Sequence, residues 1–322
     1  MDQRKLIRFG KSAYCITLPH AWIKKNSLSK GDNIAVIETL RNSLEIASTN
    51  LPSIEHESLE IDISGKSIDD IINLLMATYL NGYSKITLNG QNSGKVALIR
   101  KHVQEFIAAE IMEVTFNRIV IHIFWDIKNI NLDTIIHRTS IIIKSINTET
   151  IELLDRENNI KDITEKGLEV QRQVLLGRRA IKYALNHSSV AQKFGLTPLE
   201  LLYVSYLIYF FGMIAEYIIL IALTINAVNF TKILKPKTKK ELRTMMKKVS
   251  EYFSAVLAMY NKKDVKVKFV LSEYQEFEKS LNSFREKNYN VNIQIIAEYL
   301  KMITAKIKET QMMMISMENV PK

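Results

Sequence analysis

The residue types best placed to do chemistry are cations near the start of the chain. Arg4, Lys5, Arg8 and Lys11 put four positive side chains within eight residues. Such side chains bind nucleic acid chiefly by neutralising phosphates, and in a two-fold dimer they would form a basic surface wide enough for duplex DNA. A solvated edge strand would carry the same charges, because positive charge keeps an exposed strand edge from pairing. Charge alone leaves both interpretations open.

Other motifs argue against an enzyme. The segment 90–96 resembles a phosphate-binding loop, but it has three residues instead of four between its glycines, and Val96 stands where magnesium would need a hydroxyl side chain. We interpret it as a polar turn. The six histidines lack metal-ligand spacing, and no nucleophile and base pair is evident. We therefore expect a protein without catalytic residues or a cofactor.

Length and composition bound the fold class. With 322 residues, 47% apolar and 24% charged, the chain is expected to be globular with two or three domains, and not disordered or fibrous. Cys15 is the single cysteine, which excludes an intramolecular disulfide and a cysteine-rich metal site. The first ten residues contain no apolar signal segment, so we expect a cytoplasmic protein.

Positive charge is concentrated at both ends of the chain. Residues 1–50 carry 8 Lys or Arg against 4 Asp or Glu, and residues 231–322 carry 19 against 10, whereas 51–125 carry 6 against 9 and 126–230 balance at 11 each. Within the basic C-terminal part, residues 235–248 hold seven cations. This run would suit DNA, an anionic membrane surface or an acidic protein, and a solvated charged turn between helices is the simpler interpretation.

Residues 1–50 predict a small β domain. Turn-forming residues separate short apolar strands, and a proline opens a helical turn. The expected strands are Leu6–Arg8, Ala13–Leu18, Asn33–Glu38 and Leu44–Ala47, with a helical turn over Pro19–Lys25. Because so small a unit has too few long apolar side chains for its own core, we expect a second copy or the rest of the chain to complete it.

Residues 58–126 predict a small α+β domain. Helical periodicity alternates there with short apolar runs. The expected order is strand Leu59–Ile63, helix Ile68–Asn81, strand Lys85–Leu88, helix Val96–Ala109 and strand Glu113–Phe124.

Residues 130–322 predict an all-helical bundle. The expected helices are Asp133–Leu154, Thr164–Leu185, Pro198–Val228, Lys239–Met259, Val265–Glu286 and Val291–Met317, with N-caps at Asp133, Thr164, Thr197, Thr238 and Asn290. The helices form two sets of three on either side of KPKTKK, which suggests an internal duplication. The whole chain is thus expected to be a multi-domain α+β protein.

One helix, Leu199–Val228, is long and apolar enough to raise the alternative of a membrane span. Its weakly polar positions, Ser205, Tyr209, Gly212 and Glu216, fall on one stripe. A helix buried within the bundle explains this pattern better, because the flanking helices are ordinary bundle helices. We therefore expect no membrane span.

The N-terminal segment also carries a family resemblance. The stretches RKLIRFGKSAYCITLPHAW, residues 4–22, and LSKGDNIAV, residues 28–36, resemble the swapped-hairpin DNA-binding domain of the AbrB (SpoVT-AbrB) family. The resemblance is closest to the version that precedes a PhoU-like helical domain in archaeal phosphate uptake regulators. In that family a hairpin domain, a small α+β segment and a helical PhoU region follow one another, which matches the layout of this chain.

This resemblance implies a function. It implies an obligate dimer through the N-terminal domain and DNA binding by Arg4, Lys5, Arg8 and Lys11. Leu18 and Trp22 then belong to the core. We expect a cytoplasmic, homodimeric regulator that binds double-stranded DNA and couples phosphate status to transcription or to a transporter or signalling protein. The alternative is an interaction protein whose bundle docks on a membrane transporter or sensor and whose N-terminal domain only dimerises.

Some PhoU-like bundles hold metal clusters on paired acids spaced four residues apart on inward helix faces, which suits hard cations. Here only Glu216 and Glu278 match such positions. The other six of the eight positions compared hold Leu168 or one of its neighbours, Gln171, Gly212, Tyr274, Lys301 and Ala305. We expect no metal, with Glu216 and Glu278 as the residual candidates.

Overall fold

The computed structural model describes residues 3–38, 43–48, 58–155, 159–227, 230–262 and 271–318. The chain divides into two compact units, Met1–His56 and Glu57–Lys322. It is a mixed α+β protein with small sheets toward its N-terminus and a mostly helical C-terminal region.

The first unit contains two separate β-hairpins joined through a short helix. Strands β1 and β2 form one antiparallel hairpin and β3 and β4 the other. Their bounds, with helix α1, are β1 Ile7–Phe9, β2 Ala13–Cys15, α1 His20–Lys25, β3 Ile34–Glu38 and β4 Leu44–Ser48. Strand β2 ends at Cys15 rather than at the expected Leu18. Its last residue pairs with Ile7, the first residue of β1, so the residues after Cys15 have no partner strand in this hairpin.

The second unit begins with a four-stranded sheet and two helices. The elements are β5 Ser58–Asp62, α2 Ile68–Leu80, β6 Lys85–Asn89, α3 Val96–Val103, β7 Ala109–Thr115 and β8 Arg118–Ile123. The strand order is β5-β6-β8-β7, with β5 and β6 parallel and the other pairs antiparallel. Alternate residues of β6 and β8 pack with α2 and α3 into one apolar core, which includes Ile86, Leu88, Ile119 and Ile121.

Two sequence expectations for this segment are wrong. The single strand Glu113–Phe124 is a hairpin, because the chain turns at 116–117 and pairs Thr115 with Arg118. The helix Val96–Ala109 ends at Val103, and Ala109 already belongs to β7. The left-handed backbone of Ala108, with φ at 66°, is incompatible with a continued helix.

Eight helices of the described chain form the bundle. After a short 3-10 helix at Ile127–Asn129 they are α4 Leu132–Glu152, α5 Ile160–Asn186, α6 Ser188–Phe194, α7 Pro198–Ile225, α8 Phe230–Ile233, α9 Pro236–Lys262, α10 Leu271–Lys287 and α11 Val291–Glu318. Helix α7 packs against α4, α5 and α11, and α11 packs against α9 and α10. The short helices α6 and α8 were not predicted, and the expected helix start at Val265 lies outside the described residues.

The helix caps separate correct from incorrect sequence predictions. Thr197 forms a capping box with Glu200 and Asn290 accepts from the first turn of α11, so both predicted caps are confirmed. Asn131 caps α4 instead of Asp133, and Asn159 caps α5 instead of Thr164. Thr238, also predicted as a cap, lies inside α9, where its hydroxyl donates to the Asn288 side chain at 3.3 Å. Helix α9 begins earlier because a proline suits the first helical turn.

Small residues let α5 and α7 approach closely. A Cβ added at Gly177 of α5 would lie 2.8 Å from Cδ1 of Ile208 on α7. This distance is shorter than ordinary carbon contacts, so a side chain at this position would force the end of the Ile208 side chain to move. The close fit buries the side of α7 that faces α5.

A buried arginine joins the bundle to the α+β segment. Arg179 of α5 is fully buried, and its guanidinium donates to the carbonyl of Tyr79 and, at 3.0 Å each, to those of Gly82 and Tyr83. These carbonyls lie at and just beyond the end of α2. The guanidinium carbon also lies 4.4 Å from the ring centroid of Trp125. Arg179, a side chain from the bundle, therefore caps the carbonyl groups at the C-terminal end of α2.

Candidate nucleic-acid interface

The β1–β2 hairpin places the predicted DNA contacts in solvent. Arg4, Lys5, Arg8 and Lys11 are all exposed. Arg8 lies in β1 and pairs across the hairpin with Tyr14, while Lys11 lies in the turn between the strands. Arg4 and Lys5 precede β1 on the same chain segment.

A hydrogen bond ties two of these cations to one turn. Nη2 of Arg8 donates to the carbonyl oxygen of Lys11 at 3.1 Å. The turn itself depends on Gly10, whose φ of 71° is a conformation that favours glycine. Arg8 and Lys11 are thereby held at the same end of the hairpin, where both charges face solvent.

The two faces of the hairpin differ in chemistry. The pairs Ile7 with Cys15 and Phe9 with Ala13 lie on one face, whereas Arg8 and Tyr14 lie on the other. Arg8 was predicted from the sequence as a DNA contact, whereas its cross-strand neighbour Tyr14 was not. Alternation of Ile7, Arg8 and Phe9 is the signal that would have placed the cation opposite an apolar face.

The rest of the first unit adds to the positive charge. Its described residues carry seven Lys or Arg against three Asp or Glu, and all seven cations are exposed. Besides the four hairpin cations these are Lys24, Lys25 and Lys30. A surface of this composition attracts polyanions over a distance set by salt screening.

The unit leaves most of its apolar side chains uncovered. Phe9 is 73% exposed, and Leu28 is the one apolar residue that is buried within the described part of this unit. The other large apolar residues that are exposed are Leu6, Ile7, Tyr14, Ile16, Ile34, Val36 and Leu44. Leu18 and Trp22, which were expected in the core, are half-buried in the single chain.

Comparisons with known proteins give no match. No protein-family model, no curated protein and no solved structure matches the chain. The AbrB-type and PhoU-like resemblance therefore stays a prediction from the motifs of residues 4–36 and the order of the segments.

The residual metal candidates lie on different helices of the bundle. Glu216 is exposed on α7, and Glu278 of α10 lies 3.8 Å from Nζ of Lys301. Glu169, which lies two residues before Gln171 on α5, accepts a hydrogen bond from Arg138 at 2.9 Å. Among the residues that the structure describes, no three His, Cys, Asp or Glu side chains converge on one point.

The segment 90–96 lies in a turn between β6 and α3. Asn92 is buried, and its side-chain amide donates to the carbonyl of Thr115 at 2.8 Å. Lys95 donates to the carbonyl of Lys66 at 2.9 Å. These groups tie the turn to the neighbouring β7–β8 hairpin and to the loop before α2.

The basic run 235–248 is not the charged turn that we expected. From Pro236 onward it is the first half of α9, because the proline fixes the first helical turn rather than breaking a helix. Lys237, Lys240 and Lys247 line a groove of about 950 Å³ between α9 and α10. Lys248 in the same groove lies 3.3 Å from Glu251, so part of its charge is balanced locally.

Helix α7 is the one described helix that is long and apolar enough to cross a membrane. Its mean hydropathy over the most apolar window is 2.1, and 56% of that window is buried inside the bundle. A core helix of a bundle meets the same criteria, so length and composition alone do not separate the two cases.

Proposed function

We propose that this chain is a homodimeric DNA-binding regulator that acts on phosphate uptake or phosphate-responsive transcription. The observation that carries the DNA-binding part is the β1–β2 hairpin, which exposes four cations and leaves an apolar face uncovered on the side opposite to Arg8. The proposal also draws on the resemblance of residues 4–36 to AbrB-type domains.

The uncovered apolar face supports dimerisation. A single two-stranded hairpin is marginally stable in water, and this unit has two of them that do not pair with each other. Burying a side chain such as Phe9 contributes about 1.5–3 kcal/mol. In a two-fold dimer, each chain would bury the apolar face of the other. The same contact would bring two basic hairpins together.

The cations support binding to phosphates rather than base-specific recognition. Lysine and arginine side chains on flexible stems neutralise phosphates, and a two-stranded ribbon fits a DNA groove. Arg8 has the firmest position, since its guanidinium is held by the turn. Sequence preference would then come from side chains near Tyr14 and from DNA shape.

The phosphate-related role comes from the resemblance alone. PhoU-like helical regions follow AbrB-like hairpins in archaeal phosphate uptake regulators, and this chain has the same order of segments. In the proposal the helical second unit receives the signal and the first unit binds the operator.

The test is salt-dependent binding of the full-length protein to duplex DNA. Each phosphate contact adds about 0.9 to the slope of log affinity against log salt, so Arg8→Ala should flatten the slope by about one, or about two if both copies make the contact. Lys24→Ala, an exposed cation outside the hairpin, is the matched control and should change the slope less. A variant with alanine at Arg4, Lys5, Arg8 and Lys11 should lose binding.

Two outcomes would contradict this proposal, and the second favours the rival function. If the quadruple variant binds DNA as tightly as the wild type at every salt concentration, these residues are not the DNA site. If neither protein binds duplex DNA, the hairpin serves only to dimerise, and the bundle becomes the functional part as a docking module for a transporter or sensor.

A further inference from the structure

Helix α7 keeps one side in solvent along most of its length. Leu202, Tyr206, Tyr209, Glu216 and Leu223 are all exposed. They recur every three, four or seven residues, so they lie on one stripe of the helix. At 1.5 Å per residue the stripe, here called the α7 stripe, is about 32 Å long. Four of these five exposed residues are apolar or aromatic, and exposed apolar patches of this kind mark interaction sites.

Two cations from neighbouring helices lie beside the stripe. Cζ of Arg178 on α5 is 5.5 Å from the ring centroid of Tyr209, and Nζ of Lys306 on α11 is 5.0 Å from that of Phe210. Lys306 also donates to Glu309 at 2.8 Å. Positive charge therefore lies on both sides of the stripe at the level of residues 209–210.

Glu216 lies two helical turns further along the same stripe. Apart from Glu200 in the helix cap, it is the only charged residue of α7. It makes no hydrogen bond or ion pair with any residue in the described parts of the chain. An unpartnered acid in the middle of an apolar surface needs a donor from another molecule when that surface is covered.

We propose that the α7 stripe is a self-association surface that pairs with the α7 stripe of a second copy of this chain. An antiparallel pairing about a two-fold axis near Met213 places Leu202 opposite Leu223 and Tyr209 opposite Glu216. Each Glu216 carboxylate then faces the Tyr209 hydroxyl and the Arg178 guanidinium of the other copy. The contact is made twice, as a two-fold interface requires.

The pattern fits a second copy better than a lipid surface. A bilayer would place Glu216 among acyl chains, which offer its carboxylate no hydrogen-bond donor, whereas a second copy supplies an arginine at a fixed position. The pairing across a two-fold axis places Leu202 against Leu223 and Tyr206 against Ile219, and it gives Glu216 a cation from the other copy. Tyrosine, methionine and arginine are also the residue types that protein interfaces favour.

Neighbouring helices widen the surface. Leu168 of α5 follows Gly167, which contacts Ile219 of α7, and Leu168 is exposed. On α11, Met302 is exposed between Tyr299, which stacks on Tyr217, and Lys306. These residues extend the apolar strip on both sides of α7, as an interface larger than one helix pair requires.

This surface is independent of the proposed N-terminal dimer, so its test must not depend on that dimer. The measurement is thiol cross-linking of the full-length chain with Cys15→Ser as background. Met213→Cys should cross-link to itself rapidly with a short bis-maleimide reagent, since paired helices lie about 8–10 Å apart. Thr148→Cys, an exposed position on α4, is the control and should cross-link slowly.

Charge-reversed variants provide a second test of the same interface. Glu216→Lys should slow the Met213→Cys cross-linking at least about tenfold, because like charges across an interface cost several kcal/mol. Adding Arg178→Glu and Lys306→Glu to the same chain should restore the rate, and Glu286→Lys, at an exposed position of α10, should leave it unchanged.

Several results would overturn the proposal. Cross-linking at Met213 no faster than at Thr148 would do so, as would a rate insensitive to Glu216→Lys. Co-sedimentation with anionic vesicles that Leu202→Glu abolishes, without cross-linking, would assign the stripe to a membrane. Failure of the DNA-binding test leaves this cross-linking result unaffected, so the two proposals fail separately.

Discussion

Replacing Arg179 with methionine is the sharpest perturbation of the fold. Methionine has a similar length and keeps apolar contacts with Tyr79 and Trp125, but it donates no hydrogen bond. The carbonyls of Gly82 and Tyr83 would then lose the donors that Arg179 supplies. The charge also disappears from a fully buried site.

Two opposing effects set the magnitude. Burial lowers the pKa of Arg179 from 12.5 to about 10, with a smaller opposing effect from Tyr79, which means that burying the charge costs about 3 kcal/mol. Against this, three hydrogen bonds from a charged donor contribute about 1.5–3 kcal/mol each, and two ring contacts add about 1–2 kcal/mol each. The lost interactions outweigh the relieved charge by about 3.5–10 kcal/mol if they are simply added. Because all of them come from one guanidinium, they are not additive, and we expect Arg179→Met to lower the free energy of unfolding by about 3–5 kcal/mol, the range for removing one partner of a buried charged group.

Thermal unfolding and tryptophan fluorescence measure this change. The melting temperature should fall by about 6–15 °C for a protein of this size. Trp125 should shift its emission to longer wavelength at temperatures below the transition, because its ring loses the guanidinium and gains water. Lys161→Met is the control on the same helix, since Lys161 is exposed. Equal melting temperatures for the two variants would refute the argument.

Three further outcomes are expected. In a chain that carries Glu216→Lys, so that the α7 stripe does not pair, Phe9→Asp should reduce the mass in solution to that of one chain. The control Tyr289→Asp, at a residue that is 90% exposed, should not change the mass. A dimer that survives Phe9→Asp would contradict the N-terminal interface. Burial raises the pKa of Tyr79 from 10.0 to about 12, so the phenol stabilises the fold below pH 10 and this contribution is lost as the pH rises from about 10 to about 12. The gap in denaturant stability between wild type and Tyr79→Phe should therefore shrink over that window, and a constant gap would count against it. Dialysis against a chelator should leave the melting curve unchanged, while stoichiometric metal lost on mutating Glu216 and Glu278 would show a site that the motifs do not reveal.

The order of the elements could be predicted where periodicity is strong. The capping box at Thr197 and the cap at Asn290 follow from local chemistry, since a threonine three residues before a glutamate satisfies the first helical turn by itself. The β7–β8 hairpin could not be predicted, because Ile119 and Ile121 continue an apolar pattern that hides the turn at 116–117.

The candidate site was predictable only in part. The exposed cations of the first hairpin follow from the sequence, whereas the bond that holds Arg8 to the turn depends on the three-dimensional path of residues 8–11. Arg179 carries no sequence signal at all. In the sequence it stands beside Arg178 as one of two identical cations on a helix, and only long-range packing with α2 makes one of them buried and the other exposed to solvent.

The chain carries two apolar surfaces of different origin, the face of the first hairpin and the α7 stripe. A surface that pairs with its own copy is saturated by one partner. When two such surfaces lie on one chain, they close within the same dimer only if their two-fold axes coincide, and otherwise each dimer joins the next. Glu216→Lys distinguishes these cases in the full-length protein. If the assembly has the mass of two chains with and without Glu216→Lys, the first hairpin holds the dimer without the α7 stripe. If Glu216→Lys reduces a larger assembly to two chains, the α7 stripe links one dimer to another.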